Sequence, residues 1–373
     1  MDKPLSGYRM IELAGIGPCP YAGQLFADMG AEVILINRPG PVMPMVSDRG
    51  KKTIALDLNK AAGVDVLMRL VKSADALYEG LRPGVVERLG IGPDECHAIN
   101  PKLVYGRMTG WGQKGPWASM AGHDINFISI TGALEAMGKA GEPPAPPLNL
   151  VGDYGGGSLF LVSGILAALL KAEKTGKGDV VDAAMIDGVS SMMSLFYTLA
   201  GIGHWQAKRE TNLLDGSMPF YRCYQTQDEK FIAVGCIEPQ FFAEMLSILN
   251  INPDEFGKQN DATLHAKQHE VLETLFASEK RQYWTELFDG SDACVSPVLN
   301  YEEATMHPQN IARGGLKQQG QFIHPRSAPA FLSSFDDEMI NMPGASDDAL
   351  SLLKSLGYSD EQISLMKNEQ TVF

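Results

Sequence analysis

The 373-residue chain is poor in several things, and each shortage narrows what it can be. Its five cysteines, Cys19, Cys96, Cys223, Cys236 and Cys294, are odd in number, scattered, and form no C-x-x-C pair. That argues against a disulfide frame or a zinc ribbon, and no metal site is expected. A reducing, cytoplasmic setting follows, and the final residues TVF are not a Ser-Lys-Leu peroxisomal signal. No window approaches about 18 uninterrupted apolar residues, and MDKPLSGYR holds no leader-like apolar run, so no membrane insertion is expected. Basic residues are outnumbered, 31 Lys and Arg against 45 Asp and Glu, for a net charge of -14. Such a field repels polyanions and excludes nucleic acid as a general partner; an anionic ligand would need a local basic pocket. There is no internal repeat and no low-complexity tract, although GEPPAPP must run as an extended loop.

What is present begins with RMIELAGIGPCPYAGQLFADMGAEVILINRPG, residues 9 to 40. It has the plan of a dinucleotide-binding unit: apolar strand, Gly/Pro loop, amphipathic helix closed at Gly30, second apolar strand. The Gly-x-Gly-x-x-Gly fingerprint then fails, because Gly15 and Gly17 are followed by Pro20, and the second strand ends in Asn37 and Arg38 instead of an acidic residue. A guanidinium at that strand end suits a phosphate or an adenine face better than a ribose diol. The expected ligand is a nucleotide carrying an extra phosphate, not NAD. Lys51 and Lys52 lie near in sequence and read either as added charge for that ligand or as a solvated basic turn.

Short apolar runs alternate with helical stretches to about residue 186, which predicts a mostly parallel sheet covered by helices. Residues 187–220, with GIGHWQAKRETNLLDGSMP, read as a long linker. Residues 221–310 carry a hairpin-like strand pair and amphipathic helices, the pattern of a smaller α+β domain. A return linker is expected over 311–329, and helices in 330–373, opened by Ser/Asp caps, are expected to complete the first domain. The fold class is therefore α/β, a Rossmann-like parallel-sheet domain plus a smaller α+β domain.

Two ionisable residues stand out, His123 in MAGHDINFISITG and Asp153 in NLVGDYGGGSLFL. Asp153 precedes a glycine run that opens a long apolar helix, where N–H groups and a partial positive charge hold either a capping carboxylate or a developing oxyanion. Gly155, Gly156 and Gly157 weaken a helix and suit close approach of a ligand to the backbone. His123 alone reads equally as a structural histidine, and neither it nor Asp124 has a second metal ligand at i+4.

These segments resemble the α-methylacyl-CoA racemases within the family III, CaiB/BaiF-like, CoA-transferase group. The resemblance runs over nearly the whole chain, through PLSGYRMIELAGIGPCPYAGQLFADMGAEVILINRP, RGKKTIALDLN, LRPGVVERLGIGP, YGRMTGWGQKGP, AGHDINFISITGAL, PPLNLVGDYGGGSLFLVSGILAAL, GCIEPQFF and DACVSPVLNYEEATMHPQNIARG. AGHDIN with VGDYGGG is the more specific part, since relatives that transfer CoA share the aspartate and usually lack the histidine. The resemblance implies a racemase in which His123 and Asp153 flank the α-carbon of a 2-methylacyl-CoA, one removing the α-proton and the other returning one through an enolate. N–H groups around Asp153 are the expected oxyanion donors. Glu238 matches the acidic partner that orients the histidine, in this or a partner subunit.

For CoA, Arg38 matches the adenosine-phosphate contact. Leu56, Asp57, Leu58 and Asn59, then Gly80, Leu81 and Arg88, match other CoA contacts. Gly122, Asp124, Ile125, Asn126 and Phe127 match the pantetheine and thioester lining. Leucine in EGLRPG and asparagine in INRP depart from the commoner phenylalanine and acidic residue. CoA is part of the substrate, so no separate cofactor is expected. The family forms an interlocked homodimer, which the resemblance extends to this chain. The alternative is a family III CoA-transferase with Asp153 as nucleophile; a non-catalytic acyl-CoA-binding protein is a further reading.

Overall fold

A computed structural model describes residues 3–332, 342–344 and 346–373. Its elements run β1 (Arg9–Leu13), α1 (Pro18–Asp28), β2 (Glu32–Asn37), β3 (Lys52–Ala55), α2 (Ala61–Val71), β4 (Ala76–Glu79), α3 (Val85–Arg88), α4 (Pro93–Ile99), β5 (Val104–Thr109) and α5 (Asp124–Ser129). A π-helical stretch, Leu150–Ser158, continues as α6 (Leu159–Thr175), followed by β6 (Val180–Ala184) and α7 (Met185–Met192). Then come α8 (Ser194–Gly201), β7 (Tyr221–Gln225), β8 (Phe231–Gly235), α9 (Pro239–Ile248), α10 (Pro253–Phe256), α11 (His265–Phe276), α12 (Arg281–Phe288) and β9 (Val295–Val298). The order ends with α13 (Tyr301–Met306), α14 (Pro308–Ala312), β10 (Leu316–Gln319), β11 (Phe322–Pro325), α15 (Ala349–Ser355) and α16 (Asp360–Asn368). The chain forms two compact units, one of residues 1–133, 146–193 and 316–373, the other of 134–145 and 194–315. Within the segment 330–373, residues 333–341 and 345 lie outside the described residues.

The first unit holds a six-stranded sheet in the order β3-β2-β1-β4-β5-β6, and every neighbouring pair is parallel. Parallel strands covered on both faces are mostly apolar, as the MIEL and EVILIN runs are apart from Glu12, Glu32 and Asn37. One face packs α1 and α6 through Leu25, Phe26, Leu161, Ile165 and Leu169. The other packs α2, α15 and α16 through Leu67, Leu70, Leu352, Leu353 and Met366. The strand order reverses between β1 and β4, so the loops after these strands diverge and leave a crevice at their carboxyl ends. The tail serves that edge directly: Asp57 N–H donates to Thr371 O, Leu56 bridges to Val372, and Lys60 Nζ donates to the carbonyls of Glu369 and Gln370.

Two expectations change. Lys51 is neither a ligand contact nor a solvated turn: its side chain is fully buried, and Nζ pairs with Glu12 and Asp48 and donates to Pro20 O. Glu12 is a carboxylate inside β1, with Tyr78 OH as a second donor, so the lysine is drawn inward to a charge that would otherwise be buried alone. The glycines after Asp153 serve helix packing more than ligand approach. A Cβ on Gly156 would lie 2.5 Å from Val189 Cγ2, and one on Gly188 would lie 1.9 Å from Gly156 O, so the π stretch and α7 meet backbone to backbone. Separately, Leu150–Thr175 is long and apolar enough to cross a membrane by length and composition, but half of its most apolar window is buried within the fold, as in the core helix of a globular domain.

The second unit carries an antiparallel sheet, β7-β8-β9. Its core gathers Phe220, Ile232, Phe242, Leu272, Phe276 and Trp284 from β8, α9, α11, α12 and the approach to β7. The stretch read as a linker over 187–220 includes α8, none of whose residues is buried, so no amphipathic stripe marks it as helix in the sequence.

Replacing Lys51 with Met should cost about 3–5 kcal/mol, the penalty of leaving buried carboxylates without their cation, read as a lowered midpoint in urea unfolding. Restoring the balance with Glu12→Gln in the same chain should recover part of that loss.

Candidate active site

Two adjoining cavities occupy the crevice at the carboxyl ends of the strands. The first, about 700 Å³, is lined by Asn37, Arg38, Leu56, Asp57, Leu58, Asn59, Leu81 and Arg88, with Leu13, Ala14, Ile36, Pro39, Val85 and Leu89 completing the wall. The second, about 650 Å³, is lined by His123 and Asp153 together with Gly17, Gly80, Leu81, Arg82, Trp111, Met120, Gly122, Phe127, Asn149 and Met185. Leu81 lines both, so the turn after β4 is a wall common to the cavity of the arginines and the cavity of the His–Asp pair.

In the first cavity, the side chain of Asp57 shapes the loop: Oδ1 accepts from Asn59 N–H and Nδ2, closing an Asx turn that turns Asn59 outward. Arg38 leaves the end of β2 and Arg88 the end of α3, both exposed. Among the described residues neither enters an ion pair. Two unneutralised guanidiniums give this cavity the chemistry that could hold a phosphorylated ligand.

In the second cavity, His123 is the residue before α5, in extended conformation, and its N–H donates to Asn126 Oδ1 at 3.1 Å. Its imidazole is thereby presented at the rim of the cavity, exposed. Asp124 turns the other way. It is buried, and Oδ2 accepts the Asp153 N–H at 2.7 Å, while Oδ1 has no hydrogen-bond partner. Among the residues expected to line the pantetheine, Gly122 and Phe127 line the cavity; Asp124 acts on the backbone of Asp153, Asn126 on that of His123, and Ile125 is exposed. Phe127 packs edge-on to Trp111, and a Cβ on Gly122 would meet its ring at 2.7 Å, so the floor is aromatic and closely packed.

Asp153 is not a helix cap. It lies inside the π-helical stretch, whose first flanking residue is Asn149, and π insertions of this kind recur at functional sites. Half-buried, its carboxylate accepts from Asn149 Nδ2 at 3.2 Å and stands so near Gly17 that a Cβ there would lie 2.8 Å from Oδ2. Gly17 also has φ of 76°, a second reason for glycine. Burial raises the Asp153 carboxyl above its ordinary range, and the Asp124 charge adds to that; the Asn149 hydrogen bond and the His123 charge act against it. Because Asp124 engages the Asp153 N–H, that group is withdrawn as an oxyanion donor. The N–H groups of Asp124 and Ile125 open α5 directly after His123, where a helix leaves its first donors without intrahelical partners.

Asn149 and Gly17 are site residues that sequence reading passed over; Asn149 stands four residues before Asp153, a helical spacing visible in NLVGD. Glu238 belongs to the second unit, exposed, preceding α9 without a side-chain cap bond. Among the described residues there is no group of three or more His, Cys, Asp or Glu able to hold a metal.

Comparison with known proteins bears on this geometry. The model of CoA-transferase family III matches residues 5–343. The chain is 39% identical to an alpha-methylacyl-CoA racemase of Mus musculus, covering 99% of this chain and 97% of that protein. It is 37% identical to the alpha-methylacyl-CoA racemase of Homo sapiens over the same shares. A succinyl-CoA:glutarate CoA-transferase of Homo sapiens is 29% identical over 84% of this chain and 75% of its own. Among solved structures, a CAIB/BAIF family protein from Brucella suis superposes with a TM-score of 0.79 over 95% of this chain and all of that one, at 24% identity, a likeness of fold.

The raised Asp153 carboxyl has a measurable consequence. A carboxyl whose folded pKa exceeds its unfolded value binds its proton more tightly when folded, so stability is fullest below the ordinary pKa of 3.8 and falls as pH rises through the folded value. Asp153→Asn should therefore melt at a higher temperature than the parent at pH 7, with the difference shrinking as the pH approaches 3.8. A difference that grows toward acid would contradict this assignment.

Proposed function

The chain belongs to CoA-transferase family III and is an acyl-CoA enzyme, and on that premise we propose that it is an α-methylacyl-CoA racemase, interconverting the R and S forms of 2-methylacyl-CoA thioesters. The observation that carries this reading is that His123 and Asp153, from separate elements, line one cavity, which shares Leu81 as a wall with the cavity holding Arg38 and Arg88. A CoA thioester laid across the two has its phosphates beside the arginines and its α-carbon beside the His–Asp pair. The similarity to two racemases along nearly the whole chain supports it further.

The chemistry is a transfer of one proton away and one proton back. The thioester carbonyl acidifies the α-C–H, and the neutral imidazole of His123 takes that proton while electron density moves onto the carbonyl oxygen as an enolate. The opening N–H groups of α5 and the positive end of its backbone stabilise that oxygen. Asp153, whose carboxyl partial burial biases toward its protonated form, then delivers a proton to the opposite face, and the two exchange roles for the other enantiomer. Asn149 holds the carboxylate in place through the cycle. Glu238 is the proposed orienting partner of the His123 ring, from this or a second copy of the chain. The working form is proposed to be a homodimer, in line with the exposure of Leu148, Leu150 and Leu159, apolar surface that a second copy would cover.

A second reading has a specific observation behind it: the Asp153 carboxylate faces a cavity, as a nucleophile must, and a relative at 29% identity is named as a CoA-transferase. Incubation with (S)-2-methylacyl-CoA in D2O, with and without a free carboxylic acid, separates the two. Deuterium at the α-carbon with appearance of the R epimer, independent of added acid, is expected. CoA moving to the acid without α-exchange would instead make Asp153 the nucleophile. His123→Ala and Asp153→Asn should each lower α-exchange by about 10²–10⁴-fold.

A further inference from the structure

Glu79 ends β4 with its side chain sealed from solvent, a carboxylate buried one residue before the turn on which both cavities meet. Its Oε2 accepts the Leu81 N–H at 2.6 Å. Its Oε1 faces Arg107 Nε at 3.5 Å, too far for a hydrogen bond, and neither atom has another partner. The guanidinium of Arg107, on β5, forms an ion pair through Nη1 with Glu87 Oε1 at 2.9 Å. Glu87 belongs to α3, next to Arg88 of the groove. One arginine is therefore shared between a carboxylate on the sheet and a carboxylate on the short helix, and the turn 80–84 is strung between them. Gly80 is closely backed by α1, since a Cβ there would make a tight 3.1 Å contact with Cys19 Sγ.

We propose that Glu79 is a positioning residue for the acyl-CoA groove: through the Leu81 N–H and through Arg107 and Glu87 it sets where Leu81 and Arg88 stand. The inference rests on the reading of this groove as the acyl-CoA site. Nothing in the chemistry of proton transfer uses Glu79, yet a buried charge this poorly neutralised is costly to keep for stability alone. Burial raises its carboxyl to about 7, against the pull of the Leu81 N–H and Arg107 and with Glu87 adding to the rise. The thiol of Cys19, on α1, and the phenol of Tyr105, on β5, also sense its charge. Ionised Glu79 accepts strongly from Leu81 and draws Arg107 toward the sheet; protonated, it leaves Arg107 to Glu87, and the turn loosens. Substrate binding should therefore weaken as pH falls from about 8 to 6, the interval around that value.

The test is steady-state α-deuterium exchange from pH 6 to 8 with the full chain, parent beside Glu79→Gln and Glu79→Ala. Glu79→Gln keeps an acceptor for Leu81 and removes the charge; Glu79→Ala removes both. Expected are a KM about 5- to 10-fold higher in Glu79→Ala with kcat within about threefold, a smaller rise in Glu79→Gln, and a KM in Glu79→Gln that has lost part of the parent's pH dependence. Should Glu79→Ala fail to fold, Glu79→Gln carries the decision by its pH profile. Equal falls in kcat and kcat/KM at unchanged KM, or a pH dependence of KM identical in Glu79→Gln and parent, would overturn the proposal. A parent that neither binds nor exchanges acyl-CoA would instead remove the functional reading of the groove, and the two failures are distinct.

Discussion

The site depends on one hydrogen bond, from the Asp153 N–H to Asp124 Oδ2. His123 immediately precedes Asp124, and Asp153 itself supplies the donor, so this contact fixes the two acid–base candidates with respect to each other although 29 residues separate the bonded pair. Its setting is costly. Asp124 is buried with one oxygen unpartnered, and Gly152 is glycine where a Cβ would lie 2.5 Å from Oδ2. A buried carboxylate accepting a backbone N–H is worth more than a neutral bond, but only if the geometry holds. The close packing of the π stretch on α7, through Gly156 and Gly188, supplies the rigidity that holds it.

Much of this was legible in the sequence, and the limits have physical causes. Alternating apolar runs and helical stretches announced a parallel sheet, because strands covered on both faces need no polar alternation. Arg38 at the end of the second strand does share a cavity with the segments around Leu56, Leu81 and Arg88. What failed to show was non-local. Lys51 looks like a surface turn until Glu12, 39 residues earlier, is brought beneath it. The glycine run looked like a ligand cradle because its packing partner, Gly188, is 32 positions beyond Gly156. Asp153 looked like a cap because helix starts and π insertions carry similar residues, and the difference lies in the width of the turn. Asp124 and Asn126 sit among residues that line the cavity, yet point to backbone, a choice that adjacent positions on a helix cannot reveal.

Charge placement explains how an acidic molecule keeps a basic groove. Most cations near the sheet are spent internally: Arg9 on Glu32, Arg49 on Asp28, Lys51 on Glu12 and Asp48, Arg107 on Glu79 and Glu87. Arg38 and Arg88 are left over at the crevice, so a local positive potential survives within an overall negative field. The outer field and the inner pocket then select together, discouraging extended polyanions while admitting a compact phosphorylated molecule.

The division of the chain also orders its maturation. The second unit draws only on residues 134–145 and 194–315, whereas the first needs 316–373 as well. On the ribosome, where domains fold as they emerge, the second unit therefore has its full complement of residues while the first still lacks α15 and α16, two of the helices on one face of its sheet, and the tail residues Thr371 and Val372 that prop Leu56 and Asp57. The ligand groove, though encoded almost entirely in the first half of the chain, is among the last features that a nascent molecule can finish.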